Sequence, residues 1–417
     1  MEIADLSGIG GMSETVCLSH ITDLVLQSRL ESEVNDTKCS FCGREAVEGE
    51  APFALPMDAL GVYVWEAATW LYSEAWNIEY YDGEPWSDEE LWDTSDVIYD
   101  TVEDALDVAY SEKIIERLKA ATTSSDDWTS REHASDVDLG WFTFAKTIRN
   151  ESRFILIGDS KRVGFENEPP ARLARFLEAL LDYVESDLLI TLDAGSVLYR
   201  GRMTDDARRL RDEVKVEPST KLGSAPAQFA EAGRLSPKGI GLFYAADNLE
   251  VAVREIALHS PYNEALMGGF ETKRDFKVLD FSRELKKLPS IFASDPVSRR
   301  RWTFARFVKH FTSQISAPVV LDGRQLIDYT PTQMVAEYFR FVPVTRIDGI
   351  AWPSHLAKDG EGRNIMLFFG AGPDFQTVPP TPAELSREGG AKDPALTLSV
   401  DDLTEHRVGR SVKVVTL

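Results

Sequence analysis

The hydrophobic period of this chain changes near Ser186, and that change constrains its fold more than any other feature. Before it, apolar residues recur at three- and four-residue spacing; after it, they alternate or gather in short blocks. "MDALGVYVWEAATWLYSEAW" sets Leu60, Val64, Ala67, Ala68 and Leu71 on one helical stripe. "PPARLARFLEALLDYVES" does so with Leu173, Phe176, Leu177, Leu180, Leu181 and Val184, behind a double proline suited to a first helical turn. "TVEDALDVAYSEKIIERLKAAT" predicts another helix, opened by a capping-box pair, Thr101 and Asp104. "TTSSDDWTSREHASDVD" reads as an exposed, mobile polar loop.

Beyond "SDLLITLDAGS" the expected strands are "SVLYRGR", "GIGLFYAA", "FKVLDFS", "DGIAWPS" and "RNIMLFF". Helices are expected over "NLEVAVREIALHS", capped by Asn248, and over "RRRWTFARFVKHFTSQ" and "TPTQMVAEYFRF". The chain therefore reads as α+β. Four segments are expected: a Cys/His knuckle over 1–52, a helical domain over 53–189, an α+β domain over 190–372, and a Pro/Gly-rich linker with a C-terminal edge strand over 373–417. A length of 417 residues suits two or three domains.

Charge narrows the function. The net charge is −24, and the thirteen acidic residues between Glu79 and Glu112 are interrupted by no Lys or Arg. Such a surface repels nucleic acid and reads as a solvated face, or as a dock for a basic partner. Five tryptophans between Trp65 and Trp92 lack interleaved basic residues, so they read as core and interface anchors rather than a base-stacking platform. Helical RNA-cutting sites pair an Arg with a His a few residues on; "RNESRF" offers Arg149 and Arg153 without one, and His133 follows Arg131 at the wrong spacing. No apolar run approaches the ~18 residues of a membrane span. The N-terminus lacks a basic region and an apolar core, so the cytoplasm is the expected compartment.

The three cysteines all fall in the first 42 residues, which does not suit a disulfide framework. Cys17-x2-His20 and Cys39-x2-Cys42 form two ligand pairs, with Gly43 fit for the turn after the second. Four such donors hold Zn²⁺ tetrahedrally and leave no open position, which makes the expected zinc structural.

A second constellation lies downstream. "LYRGR" offers Arg200 and Arg202, which strand alternation sets on one face; "AGRLSPKGIGLFY" offers Arg234 and Tyr244; "NLEVAVREI" offers Glu255. "DGIAWPSHLAKDGEGRNIMLFF" adds Ser354 and Asn364. Singly, each suits an ordinary structural role. In order, with "DYTPTQMVAEYFRF" ahead of the serine, they resemble the RES domain over roughly 195–370. The upstream region resembles the HEPN-like N-terminal domain that accompanies some RES domains, Cys/His knuckle included, with His20 where a cysteine is common. The stretch between Arg200 and Arg234 is longer than the family pattern and reads as a lid or a target-recognition insert.

The resemblance implies a fold related to ADP-ribosyltransferases and cleavage of NAD⁺ as a substrate, in a toxin or antiphage effector. Breaking the nicotinamide–ribose bond passes through an oxocarbenium-like state. A carboxylate stabilises that charge, for which Glu255 is the candidate. Tyr244 would hold the nicotinamide ring; Arg200 and Arg234, with Arg202 competing for the strand position, would bind the pyrophosphate. Ser354 and Asn364 would orient a ribose or steady Glu255. The Gly-Pro entry ahead of Tyr244 would let the backbone approach the dinucleotide closely. The acceptor stays open: water, phosphate or a protein. No GxGxxG follows a strand, so a Rossmann dehydrogenase is disfavoured. The resemblance also implies an antitoxin or trigger protein as partner, and a homodimer. An inactive partner-sensing protein is the alternative of another class, against which the retained Arg, Tyr, Glu and Ser stand.

Overall fold

The fold is seen in a computed structural model, which describes residues 9, 11–75, 91–122, 127–130, 141–154, 169–258, 260–283, 290–317, 325–357, 362–369 and 395–409. Packing divides the chain into two compact units, Met1–Gly140 with Lys287–Arg306, and Trp141–Lys286 with Phe307–Leu417.

The first unit opens with β1 (Thr15–Cys17) and α1 (Leu24–Leu30), whose N-cap Asp23 accepts from the amides of Val25 and Leu26. β2 (Ala54–Pro56) pairs antiparallel with β1 and leads into α2 (Met57–Leu71). Then come β3 (Tyr72–Glu74), α3 (Thr94–Val102), α4 (Ser111–Ala121) and β4 (Trp128–Ser130), with β3 and β4 antiparallel. Leu60, Val64, Ala67 and Ala68 of the expected stripe are buried together with Val16, Ile21, Leu26 and Leu30, so the Cys/His segment shares one core with the helices after it. Residues 287–306 join that core through Ile291 and Phe292, and through Arg299, which pairs with Glu66.

Two local expectations change here. Thr101 does not start a helix: it lies in the last turn of α3, donating through its hydroxyl to Val97 O, and Asp93 is the cap that opens α3. The chain then leaves the helical path to pair with the Cys/His segment, where Thr22 N donates to Ala105 O and Asp107 N to His20 O, each at 2.8 Å. That pairing buries Leu106, which a continuous helix would forgo. Of the polar run around Trp128 only Thr122 and residues 127–130 are described, the rest lying outside the described residues, and Trp128–Ser130 form β4 rather than a loop. Trp128 and Thr129 are buried on β4, and the Trp128 indole donates to Thr94 Oγ1 at 3.0 Å while crossing the Trp65 ring edge-on. Trp65 is buried, and Trp70 and Trp92 pack against the same core, as anchors should. Trp76, Trp86, Arg131, His133 and the acidic run from Glu79 to Glu90 lie outside the described residues. Arg149 and Arg153 are neighbours on one helix end, Arg153 Nη2 donating to Arg149 O.

The second unit opens with α5 (Trp141–Asn150) and α6 (Pro169–Leu188), helices expected with the N-terminal ones. Then follow β5 (Leu189–Leu192), β6 (Val197–Thr204), α7 (Ala207–Val216), α8 (Pro218–Leu222), β7 (Phe243–Ala246), α9 (Leu249–Ala257), β8 (Glu264–Thr272) and β9 (Phe276–Asp280). α10 (Pro296–Ser316) enters this unit at Phe307. α11 (Gln325–Asp328), α12 (Thr330–Phe341), β10 (Gly349–Pro353), β11 (Arg363–Leu367), β12 (Leu396–Leu398) and β13 (Thr404–Arg407) complete it. Among the described residues the strands form one nine-stranded sheet in the order β12-β8-β6-β7-β11-β10-β9-β5, with β13 also on β8. Among the described strands only β9 and β10 pair parallel. β13 takes up Glu405–Arg407 of the expected C-terminal strand, whose remainder from 410 lies outside the described residues, as does the linker 371–394; β12 was not foreseen.

Pleat alternation sorts the sheet's residues onto two faces. Leu198, Phe243, Phe270, Ile365 and Leu367 share one core with Leu210, Val214 and Leu222 of α7 and α8. Ala246, Ala265 and Met267 share the other with Val251 and Ala252 of α9. The long stretch between Arg200 and Arg234 is therefore not a lid over its length: α7 and α8 are a packed layer, and Arg211 of α7 pairs with Glu405 on β13. Among the described residues no helix is long and apolar enough to cross a membrane.

Candidate functional site

α9 starts at the Asn248 cap, whose side chain accepts from the amides of Glu250 and Val251. Its last turn carries Glu255 above the face of Ala246. Glu255 Oε1 accepts two hydrogen bonds, from Ser354 Oγ at 2.6 Å and from Asn364 Nδ2 at 2.7 Å. Ser354 follows β10 and is 7% exposed; its hydroxyl also accepts from Leu356 N, which fixes its direction. Asn364 lies on β11, opposite Ala246 of β7 and Trp352 of β10. Two donors from about a hundred residues downstream thus meet on one oxygen of Glu255. Charge-assisted bonds of this kind are shorter and stronger than neutral ones.

Tyr244 shares this sheet face with Asn364, because register pairs Tyr244 with Met366 and Ala246 with Asn364. Its ring meets the Trp352 ring edge-on at 6.4 Å. Its hydroxyl lies 2.9 Å from Ser236 Oγ. Burial pushes the phenol up to about 12, against the hydrogen bond with Ser236. Gly233 packs closely here: a Cβ on it would stand 3.0 Å from Tyr244 Oη and 3.1 Å from Ser236 Oγ.

Arg234 lies in the same Gly233–Ser236 turn. Its guanidinium donates to Gln314 O at 2.7 Å and sits 5.0 Å above the Tyr329 ring. Burial lowers its pKa, while Tyr329 and the Glu255 carboxylate favour its charge.

Arg200 and Arg202 share a face, as alternation predicts, but it is the other one. Arg200 lies 5.5 Å from the Phe243 ring, in the core that also holds Leu198. Its Nε donates to Leu222 O, its Nη1 to Tyr244 O and its Nη2 to Gly223 O. Burial, then the charge of Arg202, lowers the Arg200 guanidinium to about 10, so it stays cationic at neutral pH. Three of its five N–H groups are held by backbone carbonyls; this is a tie between β6, β7 and the end of α8 rather than an open anion site. Exposed Arg202 donates to Lys221 O, beside the same helix end.

Several residues here were not singled out from sequence. Trp352, Ser236, Tyr329, Thr332 and Gln333 all line or hold the Tyr244–Arg234 region; "DYTPTQ" was visible as a motif, without roles. Arg363, beside Asn364, bridges Asp247 and buried Asp280 at 2.7 and 2.8 Å. Burial works against its charge, but the two carboxylates outweigh it and raise its pKa. That bridge anchors β11 next to Asn364.

In the first unit, the donor atoms of Cys17, His20, Cys39 and Cys42 all lie within 4.8 Å of one another. Gly43, at φ +73°, closes the turn after the second pair. The amides of Cys42 and Phe41 support the Cys39 sulfur. His20 Nε2 is buried without a hydrogen-bond partner, an orphan that a metal would satisfy. These four residues can hold a metal ion.

The chain matches two families. Residues 207–391 match the RES domain, and residues 32–162 match HEPN/RES N-terminal domain 1. Arg200 and Arg202 precede the first match; Cys17 and His20 precede the second. No curated protein and no solved structure matches the chain significantly. RES domains are associated with NAD-utilising, toxin-like activity in general. The chain belongs to the RES-domain proteins, with a HEPN/RES N-terminal domain ahead of its RES domain.

Proposed function

We propose that the second unit, read as an ADP-ribosyltransferase-like α+β fold, cleaves NAD⁺ at the nicotinamide–ribose bond and acts as an NAD⁺-depleting toxin or effector. One observation carries the reading: Ser354 and Asn364 both donate to Glu255 Oε1, on the sheet face that bears Tyr244. As the C–N bond breaks, its electron pair leaves with nicotinamide and positive charge grows on the ribose. Glu255 stabilises that charge, its carboxylate fixed through one oxygen and its other oxygen available to a ribose hydroxyl. Tyr244 and Trp352 hold the ring, and Arg234 binds the diphosphate. Arg200 acts through the backbone it ties rather than by touching substrate. Water or phosphate then adds to the anomeric carbon.

The four donors of the first unit suit a structural Zn²⁺. The Cys17 and Cys42 sulfurs are 3.7 Å apart. Zn–S bonds of ~2.3 Å at tetrahedral angles put sulfurs about 3.8 Å apart. Four protein ligands leave no position for substrate, so the metal would stabilise the fold and take no part in the reaction.

Mass spectrometry of NAD⁺ incubated with the purified chain, with and without phosphate, tests the reading. ADP-ribose marks a hydrolase, and its 1″-phosphate marks a phosphorylase. A mass increment on added protein marks transfer instead. NAD⁺ that stays intact under all conditions, or that disappears equally with Glu255→Ala, refutes it.

A further inference from the structure

The start of α12 bears on the site in a way that the reaction alone does not require. The Thr332 hydroxyl meets Arg234 O and, at 2.9 Å, Tyr329 O one turn back, and shares its one proton between them. Gln333 Nε2 donates to Gly233 O at 2.8 Å and to Ser236 O at 3.2 Å. Three carbonyls of one four-residue turn are thus held by two adjacent side chains. The turn is otherwise closed by a thin pairing, Gly233 N to Ser236 O at 2.8 Å and Ser236 N to Gly233 O at 3.4 Å. Both side chains are more than nine-tenths buried, Thr332 at 3% and Gln333 at 8% exposure. The Tyr329 ring, one helical turn before Gln333, lies under the Arg234 guanidinium.

The turn presents two things: Arg234, and the Ser236 hydroxyl that meets Tyr244 Oη. We infer that Thr332 and Gln333 form a positioning clamp, which sets Arg234 and Tyr244 at the spacing needed to bind the diphosphate and the attached ring of a dinucleotide. This inference rests on the reading of the second unit as an NAD⁺ site. The clamp touches neither Glu255 nor its partners Ser354 and Asn364, so it acts on binding rather than on the reacting carbon. Gln is suited to the task because its two amide hydrogens reach two acceptors from one nitrogen. A Met of similar length fills the space with no donor.

The test measures the full chain and its Gln333→Met and Thr332→Val variants by NAD⁺ turnover, and by calorimetric binding of ADP-ribose. Loss of the two Gln333 bonds should raise KM for NAD⁺, and Kd for ADP-ribose, by about tenfold, with kcat within threefold of the original. Thr332→Val should shift both the same way by a smaller factor. A side chain that merely supports the fold would lower the active fraction, and so apparent kcat, with KM and Kd unchanged. Unchanged KM and Kd, or no binding of ADP-ribose by any of the proteins, overturns the clamp. The two readings fail separately. Turnover with Kd insensitive to Gln333 refutes the clamp alone; ADP-ribose binding that depends on Gln333, without turnover, refutes NAD⁺ cleavage and leaves the clamp standing.

Discussion

Ser354 Oγ donates to Glu255 Oε1 at 2.6 Å and so joins the turn after β10 to the last turn of α9. Asn364 reaches the same oxygen from β11. The carboxylate is therefore oriented from two elements at once, which is what a group that must meet a developing charge requires.

Removing either donor should loosen that orientation without removing the charge. Ser354→Ala and Asn364→Ala should each lower kcat/KM for NAD⁺ by roughly 10–100-fold, the worth of one hydrogen bond to a charged group. Because both bonds end on one oxygen, the double variant should lose less than the product of the two single losses. Steady-state kinetics of the four proteins decides this. Full multiplicativity would mean that the two residues act independently.

Arg200 and Arg202 should separate by stability. Arg200→Met leaves three carbonyls without their donor and should cost about 3 kcal/mol or more of the second unit's stability. Exposed Arg202 makes one carbonyl contact, and Arg202→Ala should cost less than about 0.5 kcal/mol. Urea denaturation of both variants measures the difference; equal losses would contradict the assignment of Arg200 as the tie between β6, β7 and α8.

Much of this site was legible in the sequence because its residues sit on regular elements. Alternation set Arg200 and Arg202 on one face, and the helical period ran the chain from Asn248 to Glu255. What alternation could not say is which face of the sheet each strand turns toward the site, since that depends on register with β7, and there Arg200 fell on the Phe243 side. The period also could not show that α3 stops at Val102, because the backbone partners of Ala105 and Asp107 are some eighty residues away at Thr22 and His20. Trp128 was hidden for a similar reason: its neighbours are polar in sequence and apolar in space. The clamp of Thr332 and Gln333 was unreadable because it acts on carbonyls, which every residue has.

Metal should account for the order of the first unit's Cys/His segment. Elemental analysis should find about one zinc per chain, and Cys39→Ser should lower it. Chelation should expose the core residues Val16, Ile21 and Leu26, seen as faster amide exchange over residues 15–45. Unchanged exchange after complete metal removal would show that the four side chains are not a structural metal site.

The raised phenol of Tyr244 gives a pH signature. Its ordinary value is near 10, and the fold holds it at about 12. A folded pKa above the unfolded one gives stability that is complete below about pH 10 and is lost as pH rises through 12. The stability of the original protein relative to Tyr244→Phe should therefore be constant up to about pH 10 and decline from there to 12. Denaturation at fixed pH values across that range measures it; a difference that declines already below pH 9 would contradict burial as the cause.

The central claim is that Glu255 acts through its charge on bound NAD⁺. Glu255→Gln keeps the shape of the side chain and an oxygen that accepts from Ser354 and Asn364, and removes the charge alone. The decisive measurement is kcat for NAD⁺ consumption by this variant beside its Kd for ADP-ribose. The account predicts kcat lower by at least about 100-fold with Kd within about threefold of the original. A variant that turns over NAD⁺ at the original rate would contradict it.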